Sequence, residues 1–223
     1  MYKTRILFSK DSPASFISHL DLMRTFQRAV IRAGLNVRHT EGFNPHACIY
    51  IAQPLSLGYK SECEMLDVIL LDMPDYDDIV TCLNSALPEG LKALSAYQSA
   101  RPFKEIAFAD YEIKLIYDGA FDKDEAEIIK LFSTPPVVIS KKSKRSEAET
   151  DITRFINEIH IAGKKAGADE SVISLIARLS AGEGSLNPKY IIYAIEKYLP
   201  GYKPDFFEIR RLSVLDKDLK EFR

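Results

Sequence analysis

The sequence is poor in the residues that crosslink secreted proteins, and it has no long apolar run. Its 223 residues include no tryptophan and only three cysteines. Because the cysteines are odd in number and widely spaced, they are more typical of a reducing cytoplasm than of a disulfide framework. No apolar run approaches the roughly 18–20 residues that a membrane helix needs, and the charged segment MYKTRILFSKDS lacks the apolar core of a secretory signal. These absences predict a cytoplasmic protein that does not span a membrane.

Several motifs that bind cofactors or support catalysis are also missing. There is no Walker loop, no GxGxxG, no GxSxG and no CxxxCxxC, the cysteine spacing that holds the cluster of radical S-adenosylmethionine enzymes. The histidines and cysteines near the N-terminus, among them His19, His39 and His46, lack the CxxC or HxxxH spacing of a zinc site. We therefore expect no bound metal and no cofactor held by this chain itself.

Charge is distributed unevenly along a chain whose net charge is only −2. Residues 1–60 contain eight lysines and arginines against three acidic residues, whereas residues 61–130 contain six against sixteen. A basic segment in a weakly acidic protein indicates a phosphate-bearing or polyanionic partner at one surface. The alternative is that these arginines pair with the acidic residues of the middle segment.

The pattern of apolar residues predicts an α+β protein made of two tandem ferredoxin-like (β-α-β-β-α-β) domains, 1–101 and 102–223. In the first half, a helix over 18–33 has Ser18 as its N-cap and Gly34 as its C-cap. Its apolar face is predicted from a spacing of three or four residues to comprise Leu20, Met23, Phe26, Val30 and Ala33.

In the second half, the same order of elements is predicted with one ambiguous stretch. Residues 146–169 fit either a short helix or an added pair of strands, and the KKSKR run at 141–145 is expected to be a solvated loop. The predicted strands are 109–117, 135–142, 171–180 and 205–215, and the predicted helices are 121–132 and 186–199.

One face of the first predicted helix carries a row of arginines. At about 100° per residue, Asp21, Arg24, Arg28 and Arg32 fall within about 80° of one another. Guanidinium groups spaced four residues apart can contact successive phosphates or carboxylates, because they are planar and always charged. The alternative is an ordinary solvated helix face.

Two further groups are candidates for a site. His19 lies on the apolar side of the same helical wheel, where it is either a core residue or a base or ligand at the mouth of a site. The segment Gly42–His46 has the glycine and proline of a rigid loop. Such a loop would present Phe43, Asn44 and His46 for stacking or hydrogen bonding, or would form a plain tight turn with Phe43 in the core.

The string FSK…SHLDLMRTFQRA…RAG…EGFNPH…PLSLGYKSECEMLDV resembles the bacterial family of radical SAM-linked proteins, across about residues 1–100. The ITRFI and SLNPKYII stretches extend the resemblance into the second half. Members of that family occur fused behind radical S-adenosylmethionine enzymes or are encoded beside them. The resemblance therefore implies a partner enzyme of that kind, and it supplies no activity for this chain.

From these observations we expect an accessory protein that holds RNA or another anionic substrate for a radical S-adenosylmethionine partner. Arg24, Arg28 and Arg32 would position phosphates, while the 42–46 loop would contact a base. One alternative is a metal-independent ribonuclease that uses His19 and His46 as acid and base. Another is a protein-binding adapter whose acidic segment 61–130 docks a basic partner.

Overall fold

Helices alternate with antiparallel strands along a chain that divides into two compact units. The structure is a computed structural model that describes residues 1–142, 147–182 and 184–223. The first unit is Met1–Glu105 with Arg223, and the second is Ile106–Phe222. The predicted α+β class is confirmed. No helix formed by the described residues is long and apolar enough to cross a membrane.

The first unit contains four strands and two helices. The elements are β1 (Tyr2–Lys10), α1 (His19–Arg32), β2 (Ile49–Ile51), β3 (Lys60–Leu70), α2 (Tyr76–Ala86) and β4 (Leu91–Gln98). Along the sheet the strands follow the order β4-β1-β3-β2, and each neighbouring pair is antiparallel. Both helices contribute to a core with the inward faces of β1 and β3.

Helix α1 begins and ends where its sequence predicts. The Ser18 hydroxyl accepts a hydrogen bond from the main-chain N–H of Asp21, as an N-cap does. At the other end, Gly34 adopts a φ of 73°, and its N–H donates to the carbonyl of Ile31 at 3.0 Å. Leu35 N–H closes the turn onto Val30 O at 3.1 Å, which completes a Schellman motif.

The buried face of α1 differs from the predicted apolar face. It comprises Leu22, Phe26, Ala29 and Val30, and the Phe26 ring lies 4.6 Å from that of Phe8 on β1. Leu20 was expected in the core, but 65% of its surface is exposed. The prediction was wrong because Leu20 lies about 160° around the helix from Leu22, one of the residues of the buried face.

The second unit repeats the arrangement with an inserted hairpin. Its elements are β5 (Ile106–Asp118), α3 (Ala126–Ser133), β6 (Val138–Lys142), β7 (Glu147–Asp151), β8 (Ile156–Lys165), β9 (Glu170–Ser180), α4 (Lys189–Tyr198) and β10 (Phe206–Asp216). The main sheet has the order β10-β5-β9-β8, again with antiparallel neighbours.

Two predictions for this unit are corrected. The strand predicted at 135–142 is present as β6, but it pairs with β7 in a separate two-stranded sheet, and β8 takes its expected place as the second strand of the repeat. The ambiguous 146–169 stretch forms strands β7 and β8, as the second of its two alternatives predicted. Helix α3 starts at Ala126 rather than at 121, because Phe121 is buried and its N–H donates to the Ser171 hydroxyl. The predicted KKSKR loop begins within β6, and its residues 143–145 lie outside the described residues.

Candidate anion-binding site on helix α1

The arginines of α1 line one surface cavity of about 420 Å³ in the first unit. They lie on the exposed side of the helix, opposite the face that packs in the core. Each arginine lies four residues, a rise of about 6 Å along the helix axis, from the next. The walls of this arginine cavity, as it is called below, are formed in the described part of the chain by Asp21, Arg24, Thr25, Arg28, Arg32 and Pro88.

The three arginines differ in how they are held. Arg24 contacts the Asp21 carboxylate at 3.2 Å, with both side chains more than half exposed. Arg32 donates a 2.6 Å hydrogen bond to the main-chain carbonyl of Ala86, the last residue of α2. Arg28 makes no hydrogen bond or ion pair with any residue that the structure describes, so its guanidinium donors face solvent. Arg28 is therefore the group in the cavity best placed to bind an anion.

Asp21 is the carboxylate in this otherwise cationic cavity. The Ser18 hydroxyl donates to it at 2.7 Å and, together with Arg24, lowers the pKa of its carboxyl. The main-chain carbonyl of Asp21 also accepts a hydrogen bond from the Thr25 hydroxyl at 2.7 Å. Asp21 therefore stays ionised at neutral pH, and an incoming anion must share Arg24 with it.

The loop at 42–46 is closed by hydrogen bonds at its base. Thr40 N–H donates to His46 O at 2.8 Å, and His39 and Ala47 form an antiparallel bridge. Gly42 has a φ of 131°, a conformation that side chains disfavour. Phe43 is not in the core: its side chain is fully exposed at the end of the loop.

The two candidate histidines lie outside the arginine cavity. His46 Nδ1 is within 3.2 Å of both the Thr40 hydroxyl and the Asn44 carbonyl, so its contacts stay within the loop. His19, which the helical wheel placed on the apolar side, is exposed because it occupies the first position of α1. Neither histidine, nor Phe43, nor Asn44 lines the cavity.

Sequence reasoning missed Pro88 as a wall of the cavity and Ala86 as the anchor of Arg32. Both lie just after or at the end of α2, more than 50 residues from α1 in the sequence. Nothing in the local pattern links the two regions. The described residues also contain no group of three or more histidine, cysteine, aspartate or glutamate side chains arranged to hold a metal ion.

Comparison with known proteins assigns the chain to a family. Residues 3–188 match the model of DUF2344, described as an uncharacterized protein conserved in bacteria. The chain therefore belongs to the DUF2344 family. A search of curated proteins gave no match.

The solved structures that match are distant in sequence. A Cbf5–Nop10–Gar1 complex is 10% identical with a TM-score of 0.49, over 96% of this chain and 49% of that one. An archaeal box H/ACA sRNP Nop10–Cbf5 complex is 11% identical with a TM-score of 0.43, over 94% and 47%. A protein from Galdieria sulphuraria is 13% identical with a TM-score of 0.27, over 94% and 98%. The chain spans about half the length of the first two, and these similarities carry no functional argument.

Proposed function

We propose that this protein is a binding module that holds RNA or another phosphate-bearing substrate in the arginine cavity. The observation that carries the proposal is that Arg24, Arg28 and Arg32 line a single cavity. Arg28 has donors free to bind phosphate oxygens, and Arg24 can exchange its exposed contact with Asp21 for a second phosphate. The cavity walls carry three arginines and one aspartate, so their local charge favours an anion.

A binding role is preferred to catalysis. A ribonuclease would need His19 and His46 to reach one phosphodiester. The described hydrogen bonds of His46 stay within its loop, and none involves His19. Neither residue contributes to the cavity in which the arginines meet.

We also propose a ferredoxin-like fold for both units and a radical S-adenosylmethionine enzyme as partner. The fold assignment is supported by the strand order, in which the fourth, first, third and second strands of each main sheet are neighbours. The partner rests on the resemblance of residues 1–100 to radical SAM-linked proteins. In this arrangement the partner carries out the chemistry, and this chain presents the substrate to it.

The test is RNA binding by the purified protein, measured by fluorescence anisotropy with labelled fragments of total cellular RNA at two salt concentrations. We expect salt-dependent binding, which the double variant Arg24→Ala/Arg28→Ala weakens. Its salt slope should fall by about 1.5, because each phosphate neutralised contributes roughly 0.7 to 0.9.

A matched control removes the same charge elsewhere. Lys130 and Arg154 have side chains 71% and 81% exposed, and neither lines the cavity. The variant Lys130→Ala/Arg154→Ala should keep the wild-type slope. Equal losses in both double variants would show that only net charge matters. No binding at low salt would reject the RNA proposal and favour a protein-binding adapter.

A further inference from the structure

Phe43 is the most exposed large apolar side chain in the described residues. Its relative exposure is 105%, compared with 84% for Met73. Burial of a phenylalanine ring lowers the free energy of the protein in water, so a fully exposed ring is unfavourable in the unbound protein. Hydrogen bonds between Thr40 and His46 hold the two ends of the loop together. Phe43 lies between these ends, and its ring does not pack against the core. Phe43 is thus presented to solvent from a well-anchored loop.

The loop that carries Phe43 also carries exposed polar groups. Asn44 and His46 are both exposed. Nδ1 of His46 is engaged by Thr40 and by the Asn44 carbonyl, which leaves Nε2 for an external partner. An exposed aromatic ring on the same short loop as an exposed amide and an exposed imidazole has the groups with which proteins stack an unpaired base and contact its edge. Bases inside a duplex are already stacked on each other and cannot contact such a ring face.

The arrangement of the arginines in the cavity also favours a single strand over a duplex. All its guanidinium groups come from one helix, and Pro88 forms the wall contributed from outside α1. A row of cations about 6 Å apart on one helix follows a single line of phosphates. An RNA duplex instead displays two backbones on either side of its grooves.

We infer that the RNA held by this protein is single-stranded, with an unpaired base stacked on Phe43. This inference rests on the proposed function and names the class of its substrate. Stacking of a base on an aromatic side chain depends little on which base is present, so binding tolerates sequence variation.

The experiment compares one RNA strand of about 12 nucleotides, without self-complementarity, with the perfect duplex of the same sequence. A duplex has the higher charge density, so a purely electrostatic site would bind it at least as tightly. We expect the single strand to bind at least about tenfold more tightly, the contribution of one stacked base. Equal or tighter binding of the duplex would overturn the inference and leave the proposed function standing. Binding of neither RNA would overturn both.

The variant Phe43→Leu keeps an apolar side chain but removes the ring face. We expect it to lower affinity for the single strand by about tenfold and to leave any residual duplex binding unchanged. Phe16→Leu is the matched control, since Phe16 is another exposed phenylalanine (70%) and lies outside the 42–46 loop. Equal losses in the two variants, or no loss in Phe43→Leu, would contradict the assignment of Phe43 as the stacking residue. Because Phe43 is fully exposed, Phe43→Leu should unfold at the same temperature as the wild type.

Discussion

Arg32 on α1 donates a 2.6 Å hydrogen bond to the main-chain carbonyl of Ala86, which ends α2. A cation beside the last carbonyls of a helix is favoured by the helix dipole. Arg32 belongs to the last turn of α1, and its guanidinium lies at the C-terminal end of α2. Arg28, one turn earlier, makes no such hydrogen bond with any of the described residues. The two arginines thus line the same cavity but differ in what they contribute to stability.

We predict that Arg32→Ala lowers the free energy of unfolding by about 1 kcal/mol, because a charge-assisted hydrogen bond at an exposed helix end is lost. Arg28→Ala should change it by less than about 0.5 kcal/mol, since no contact is removed. Urea denaturation of both variants checks this. Equal destabilisation by the two substitutions would show that the contact to Ala86 contributes nothing.

Asp21 opposes anion binding within the arginine cavity. Its carboxylate lies 3.2 Å from Arg24, so a phosphate that approaches Arg24 meets a negative charge. We predict that Asp21→Asn raises affinity for RNA by roughly two- to fivefold, the range expected for an exposed ion pair. Anisotropy titrations at neutral pH measure the gain. Glu127→Gln, which alters the exposed i,i+3 pair with Lys130 outside both the cavity and the 42–46 loop, is the matched control and should give no comparable gain.

The gain from Asp21→Asn should not depend on pH between about 5 and 8. The hydrogen bond from Ser18, aided by Arg24, lowers the pKa of the Asp21 carboxyl, so its charge is present across this window. A carboxyl whose folded-state pKa is lowered contributes stability that is present at neutral pH and is lost as the pH falls through that pKa. A gain that disappears toward pH 5 would mean that Asp21 titrates in the cavity with a raised pKa.

Local sequence signals predicted the ends of α1. They could not predict contacts between segments that are far apart in the chain. Ser18 and Gly34 mark the ends of α1 because the N-cap and the Schellman motif are formed by neighbouring residues. Helical-wheel arithmetic also placed the arginines on one stripe. It could not place Pro88 against them, because that contact depends on how α2 packs beside α1.

The misassigned strand in the second unit has a related cause. An apolar stretch such as PPVVISKK satisfies the strand pattern whichever strand it pairs with. The hairpin is fixed by non-local hydrogen bonds: the Tyr198 hydroxyl on α4 donates to Val138 O at 2.8 Å and accepts from Val138 N. Residues 60 positions apart therefore decide where β6 lies.

Arg5 and Asp67 form a buried ion pair between β1 and β3. Arg5 Nε and Nη2 donate to the two carboxylate oxygens at 2.7 and 3.1 Å, and the Ser99 hydroxyl also donates to Asp67 at 3.0 Å. We predict that Arg5→Met lowers the free energy of unfolding by about 3 to 5 kcal/mol, because it leaves the Asp67 carboxylate buried without its main cation.

Lys3 provides the matched control for this pair. It contacts the same carboxylate at 3.1 Å, but its side chain is 51% exposed. Lys3→Ala should therefore cost less than about 1 kcal/mol. Chemical denaturation measures the free energy of unfolding of both variants. Similar decreases would mean that the buried contact of Arg5 stabilises the fold no more than the exposed contact of Lys3.

Gly90 and Gly34 allow the effect of a left-handed backbone to be separated from the effect of crowding. They adopt similar φ values of 85° and 73°. A Cβ on Gly90 would lie 2.7 Å from both Ala14 N and Asp11 O, whereas one on Gly34 would meet no atom within 4 Å. Gly90 also accepts a 2.8 Å hydrogen bond from Asp11 N–H, which holds the end of β1 against the turn that leads into β4.

Both substitutions with alanine carry the cost of a positive φ, roughly 1 kcal/mol each. We predict that Gly34→Ala loses about this amount and that Gly90→Ala loses at least about 2 kcal/mol more, because main-chain atoms of Asp11 and Ala14, in the turn that follows β1, must move. Thermal or urea unfolding measures the difference. The turn between α2 and β4, which contains Gly90, also contains Pro88 of the cavity wall. RNA binding by Gly90→Ala should therefore weaken even below its unfolding temperature, while Gly34→Ala should bind RNA as the wild type does. Equal stability and equal binding in the two variants would show that the turn yields to the added methyl group without disturbing the arginine cavity.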